Sequence, residues 1–156
     1  MKDGTHYRTR AQNFLGENLL IARSDLGTIL TVMLAFGLRR GEALGLRWSA
    51  LDGDTATLKV THALKRVRAR TETSELRTRL MIGELKTARS RRTLFLAPEL
   101  VELLRRHRAR LAEERMAIGP AWREHDLIFP SAVGTPLDPD NVSHWFSRIC
   151  RRAGLG

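Results

Sequence analysis

The stretch GLRRGEALGLRW (Gly37–Trp48) sets two adjacent arginines, Arg39 and Arg40, at the seam between two apolar segments, with an acid, Glu42, close behind. Arginines wedged between buried segments usually hold something negative, because the guanidinium keeps its charge and can donate two parallel hydrogen bonds. Before the stretch, LGTILTVMLAFGL (Leu26–Leu38) is apolar almost all round. That predicts a helix over residues 26–36, buried on several sides and ended by Gly37. Behind the arginines, a second short helix is expected over residues 41–47, followed by turn chemistry in SALDGDT (Ser49–Thr55). The fold therefore starts as helix, charged turn, helix.

Further along, TATLKVTHAL (Thr55–Leu64) alternates enough to predict a strand. The polar KRVRARTETSELRTR (Lys65–Arg79) is expected as a long, mobile hairpin loop. LMIGELK (Leu80–Lys86) and RRTLFLA (Arg91–Ala97) read as two more strands, joined by the basic turn TARS (Thr87–Ser90). Pro98 suits a helix start, where its missing N–H costs nothing. Leu100, Leu103, Leu104 and Leu111 carry helical spacing toward Ile118, and Gly119-Pro120 ends it. LIFP (Leu127–Pro130) is expected as a short strand and SAVGTPL (Ser131–Leu137) as a loop. Asp138 can cap a last helix with Pro139 at its first position, and Val142, Trp145, Phe146 and Ile149 give it an apolar face. The expectation is an α+β, mainly α fold with a small antiparallel three-stranded sheet. Residues 1–23 form a weakly patterned N-terminal segment and 24–156 one domain. The last helix offers two large aromatics to a core that other elements must complete, so further chain is expected after Gly156.

Lys+Arg 27 against Asp+Glu 17 leaves a net charge of +10 on 156 residues. The excess is mostly arginine, which favours a phosphate-rich partner over a merely solubilising surface. Cys150 is the only cysteine, so neither an internal disulfide nor a cysteine-based zinc site is available. The N-terminus has no apolar run of signal-peptide type, and the longest apolar run falls short of the roughly 20 residues of a membrane span. The cytoplasm is the expected compartment.

Three segments, GLRRGEALGLRWSALD, ELKTARSRRTLFLAPEL and LIFPSAVGTPLDPDNVSHWFSRICRRAGL, occur in this order. All three resemble the catalytic domain of tyrosine recombinases, the phage integrase family, from about Leu26 onward. The resemblance implies a helical catalytic domain that cuts and rejoins double-stranded DNA through a phosphotyrosine, without a metal or nucleotide cofactor. It implies integration or excision at specific DNA sites, with other recombinase protomers as possible partners. Negative charge develops on the phosphate oxygens in such a reaction, so preorganised cations are needed.

By resemblance, the first catalytic arginine is Arg39, with Glu42 supporting the turn and Arg40 a DNA contact. The family's lysine in a β-hairpin turn, which protonates the leaving 5′ oxygen, matches Lys86. Arg89, Arg91 and Arg92 flank it as expected contacts to the DNA backbone. The family's His-x-x-Arg box and nucleophilic tyrosine normally come after the RAGL helix end, where these 156 residues stop. The chain alone is therefore expected not to complete strand cleavage. Tyr7, the only tyrosine, precedes the matching segments. HRAR (His107–Arg110) has the box spacing but lies on the long helix, where the family has no catalytic group, so it reads as a decoy. His62, His125 and His144 lack metal-like spacing. A non-catalytic DNA-binding protein and a non-functional remnant of an integrase are the rival readings, with an RNA-binding basic protein behind them.

Overall fold

A computed structural model of the chain describes residues 23–70, 76–87 and 90–154. Helix α1 (Arg23–Phe36) is followed after a short turn by α2 (Arg40–Leu44). A 3-10 turn (Trp48–Ala50) then leads into β1 (Leu51–Asp52), β2 (Thr57–Val60), β3 (His62–Arg70), β4 (Leu76–Glu84) and β5 (Arg92–Phe95). The long helix α3 (Pro98–Ile118) and the last helix α4 (Pro139–Arg152) complete the α+β fold. Pro98 and Pro139 each open a helix, and the Asp138 side chain accepts a hydrogen bond from the Asp140 N–H at 2.9 Å, as its cap position requires.

The strands differ from expectation. The three-stranded antiparallel sheet runs β1-β2-β5, with Leu58 opposite both Leu51 and Leu94. β3 and β4 form a separate two-stranded hairpin from His62↔Glu84 to Arg70↔Leu76. Most of the stretch expected as a loop, Lys65–Arg79, is therefore strand. Arg66, Arg68, Thr78 and Arg79 are exposed while Val67 is partly buried, and a strand with one wet face tolerates charge that a core strand would not. Leu80–Glu84 pairs with β3 instead of β5, so Lys86 lies on the connection between two sheets and not in a hairpin turn. LIFP makes only isolated bridges, Arg47↔Leu127 and Pro130↔Pro136.

The core gathers Leu26, Ile29 and Val32 of α1, Ala43 and Leu44 of α2, Leu58 and Val60 of β2, Leu94 of β5, Leu104 of α3, and Ile128 and Phe129. Residues 26, 29 and 32 share one helix face. The expected burial of α1 on several sides is corrected by Leu34, which is exposed, and by Leu30 and Met33, which are only partly buried. With Val142 and Phe146 of α4, these residues border an open apolar groove of about 650 Å³. No helix among the described residues is long and apolar enough to cross a membrane.

Candidate functional site

The arginine pair sits where α2 begins. Arg39 is the helix N-cap, with extended backbone (φ −67°, ψ 146°), and Arg40 is the first helical residue. Glu42, three residues past the cap, reaches back and accepts from the Arg39 backbone N–H at 3.1 Å. This satisfies a donor that a helix start leaves unpaired. The Arg39 guanidinium touches the same carboxylate at 3.4 Å yet remains 82% exposed, while the Glu42 side chain is 3% exposed.

Arg92 on β5 completes the Glu42 site, with its Nη2 2.9 Å from Oε2. Burial pushes the Glu42 carboxyl up, but the Arg92 hydrogen bond, the Arg39 N–H and the two positive charges outweigh it and hold the acid below its ordinary 4.5. Glu42 is thus ionised at neutral pH. It turns the backbone of residue 39 inward and leaves the arginine head facing solvent.

Arg40 is engaged elsewhere. Its Nη1 donates to the Pro139 carbonyl at 3.0 Å and to the Ser143 hydroxyl, and lies 3.8 Å from Asp140. It ties the arginine turn to the start of α4. From the other side, Arg66 of β3 reaches Asp138 at 2.5 Å and Asp140 at 3.1 Å. The hairpin and the arginine turn therefore share one anchor, the acidic first turn of α4. The hairpin arginines Arg68 and Arg79 stay exposed. They lie within the stretch expected as a loop, and the period-two pattern of KRVRAR is the signal that could have placed them on a strand.

Lys86 is exposed on the β4–β5 connection and has no hydrogen-bond or ion-pair partner among the described residues. Next to it, Leu85 is buried and donates its N–H to the Thr61 carbonyl at 2.9 Å. Beyond it, the Ser90 N–H donates to the Thr87 carbonyl at 3.1 Å. Arg91 is exposed. Arg89 and Tyr7 lie outside the described residues.

His107 is a core residue, which explains the HRAR match. It is 1% exposed and packs between the rings of Trp48 and Phe129. Nε2–H donates to the Ile128 carbonyl at 2.5 Å, and Nδ1 accepts from Arg110 at 2.9 Å. Both ring nitrogens are engaged, which leaves neither for chemistry. Among the described residues, no group of three His, Cys, Asp or Glu side chains is arranged to hold a metal ion.

A sequence model of the phage integrase family matches residues 21–156. The chain belongs to the phage integrase family. A tyrosine recombinase XerC-like protein of Caldanaerobacter subterraneus subsp. tengcongensis is 31% identical over 128 residues, covering 79% of this chain and 33% of the relative. An integrase of Streptomyces ambofaciens is 46% identical over 71 residues, covering 46% of this chain and 18% of the relative. The chain thus spans a third or less of the length of these relatives. The structure of the Tn1549 transposon integrase in complex with transposon right end DNA superposes with a TM-score of 0.62 at 18% identity, covering 93% of this chain and 43% of that one. The same integrase in complex with circular intermediate DNA gives 0.59 at 18% identity, covering 97% and 45%. At this identity the likeness is one of fold.

Proposed function

We propose that these residues form the arginine–lysine part of a tyrosine recombinase site that breaks and rejoins double-stranded DNA at specific sequences. The observation that carries this reading is the Arg39 turn. A buried, ionised Glu42 fixes its backbone while the guanidinium stays exposed. A phosphate met there finds a charged two-pronged donor already in place.

In this reading Arg39 binds non-bridging phosphate oxygens as charge builds on them. Lys86 gives a proton to the leaving 5′ oxygen as the phosphodiester bond breaks and a phosphotyrosine bond forms. The phenol proton of the attacking tyrosine leaves to a base supplied by the rest of the domain or to solvent, so protons balance without a metal or nucleotide. The attacking tyrosine and the His-x-x-Arg box belong to the family's domain as a whole. Arg89 and Arg91 add contacts to the DNA backbone, and other recombinase protomers are the natural assembly partners. The compartment in this reading is the cytoplasm.

Binding and cleavage are tested separately. The 156-residue chain is titrated with duplex DNA by fluorescence anisotropy. Cleavage is followed in a chimera that carries this chain in place of the matching segment of the Caldanaerobacter relative. Arg39→Ala is expected to slow cleavage by ~10²–10³, as loss of a donor to a developing oxyanion does, while duplex affinity changes much less. Lys86→Ala is expected to slow cleavage likewise. Undiminished cleavage by Arg39→Ala overturns the role of Arg39, and failure of the parent chain to bind duplex DNA overturns the function.

A further inference from the structure

Arg92 reads in the sequence as one more cation flanking the basic turn, expected to meet the DNA backbone. In the fold its guanidinium is already committed in two directions. Nη2 lies 2.9 Å from Glu42 Oε2, and Nη1 donates to the Ser90 carbonyl at 3.3 Å. We infer that Arg92 is a positioning residue, which ties the connection carrying Lys86 to the turn carrying Arg39. The inference rests on the proposed roles of Arg39 and Lys86.

The Glu42 carboxylate needs compensation, because an ionised group this deeply buried cannot stand alone. Its donors are the Arg39 N–H, the Arg39 guanidinium and Arg92. Of these only Arg92 comes from outside the arginine turn and its helix. The same guanidinium holds Ser90, which closes a turn with Thr87 through its own N–H and through their two hydroxyls, 2.7 Å apart. That turn begins immediately after Lys86. On the other side of Lys86, Leu85 is fixed to Thr61. An exposed lysine therefore sits between two anchored points, and one of them is tied through Arg92 to the carboxylate that orients residue 39. A planar guanidinium can serve two acceptors in different directions at once, whereas a lysine ammonium on a flexible stem holds one point without that rigid fork.

Backbone amide exchange tests the tie without DNA. In Arg92→Ala, the Arg39 and Ser90 amides should lose about tenfold or more protection beyond any loss shared with α3 and α4. Arg92→Lys should keep the Arg39 amide protected, because Glu42 retains a cation, but release Ser90. If Arg92→Ala does not fold, Arg92→Lys decides alone. Faster exchange at Ser90 supports the tie, and unchanged exchange there overturns it.

Two further readings separate positioning from DNA contact. The salt slope of duplex binding should be the same for Arg92→Lys, Arg92→Ala and the parent; a fall of about one unit in Arg92→Ala makes Arg92 a phosphate contact and overturns the inference. In the cleavage chimera, Arg92→Lys should lower the single-turnover rate with little change in Kd, and an unchanged rate also overturns it. If the parent chain binds no duplex DNA, the proposed function fails, and amide exchange still decides whether Arg92 makes the tie.

Discussion

A buried carboxylate is the residue on which the arginine turn depends. Glu42 is held ionised by Arg92, by the Arg39 N–H and by both positive charges, against the penalty of its own burial. Its folded-state pKa lies below the unfolded value. The stabilisation it gives is therefore complete above the ordinary 4.5 and is lost as the pH falls through the folded-state value. Glu42→Gln should lower the melting temperature at neutral pH, and the gap from the parent chain should narrow as the pH drops below 4.5. A gap constant with pH would show that the charge contributes nothing and that only shape matters. Removing Arg92 instead should cost toward the lower end of roughly 3–5 kcal/mol, since it strands a buried charge while Arg92 itself is partly solvated. The sequence identified both residues as notable, but their pairing was not legible. They are far apart in the chain, and no local rule links an acid on α2 to a strand formed after the hairpin.

Among the elements, α2 shows why the motif has glycines at residues 41 and 45. A Cβ on Gly41 would stand 2.6 Å from the Leu64 carbonyl oxygen, and one on Gly45 2.8 Å from the Ala63 Cα. The short helix thus lies directly on the backbone of β3, which leaves no room for a methyl group. Gly41→Ala should destabilise the fold by about 1–3 kcal/mol, the cost of overpacking, although alanine is the better helix former. Gly27→Ala on α1 is the control. Nothing lies within 4 Å of its added Cβ, so it should stabilise by roughly 0.5–1 kcal/mol. Denaturant titration checks both, and equal effects at the two sites would remove the close approach as the reason for Gly41. Helices were the legible elements. Pro98 and Gly119 bracket α3, and Asp138 and Pro139 start α4, because caps are local chemistry. Strand pairing was not legible. The five described strands divide between two sheets according to long-range register, and the alternation in KRVRAR gives a strand's period without saying which strand it pairs with.

At the scale of the molecule, net charge says little until each cation is assigned a partner. Of the basic side chains around the proposed site, Arg40, Arg66 and Arg92 are bound to Asp140, Asp138 and Glu42 and serve the architecture. Arg39, Lys86 and Arg91 are exposed, as are Arg68 and Arg79 on the hairpin. This division predicts which substitutions alter the electrolyte dependence of DNA binding. Each phosphate neutralised on duplex DNA contributes about −0.9 to the slope of log K against log salt. Arg68→Ala and Arg79→Ala should each make that slope shallower by about one unit if the hairpin lies along DNA. Arg66→Ala should leave it unchanged, because its charge is already met by Asp138 and Asp140, and should instead loosen the hairpin from α4. Anisotropy titrations of the 156-residue chain at several salt concentrations measure all three. A shallower slope for Arg66→Ala with none for Arg68→Ala or Arg79→Ala would reverse the assignment: the ion pair at the start of α4 would then be one that DNA displaces, and the outer hairpin would stand clear of the duplex.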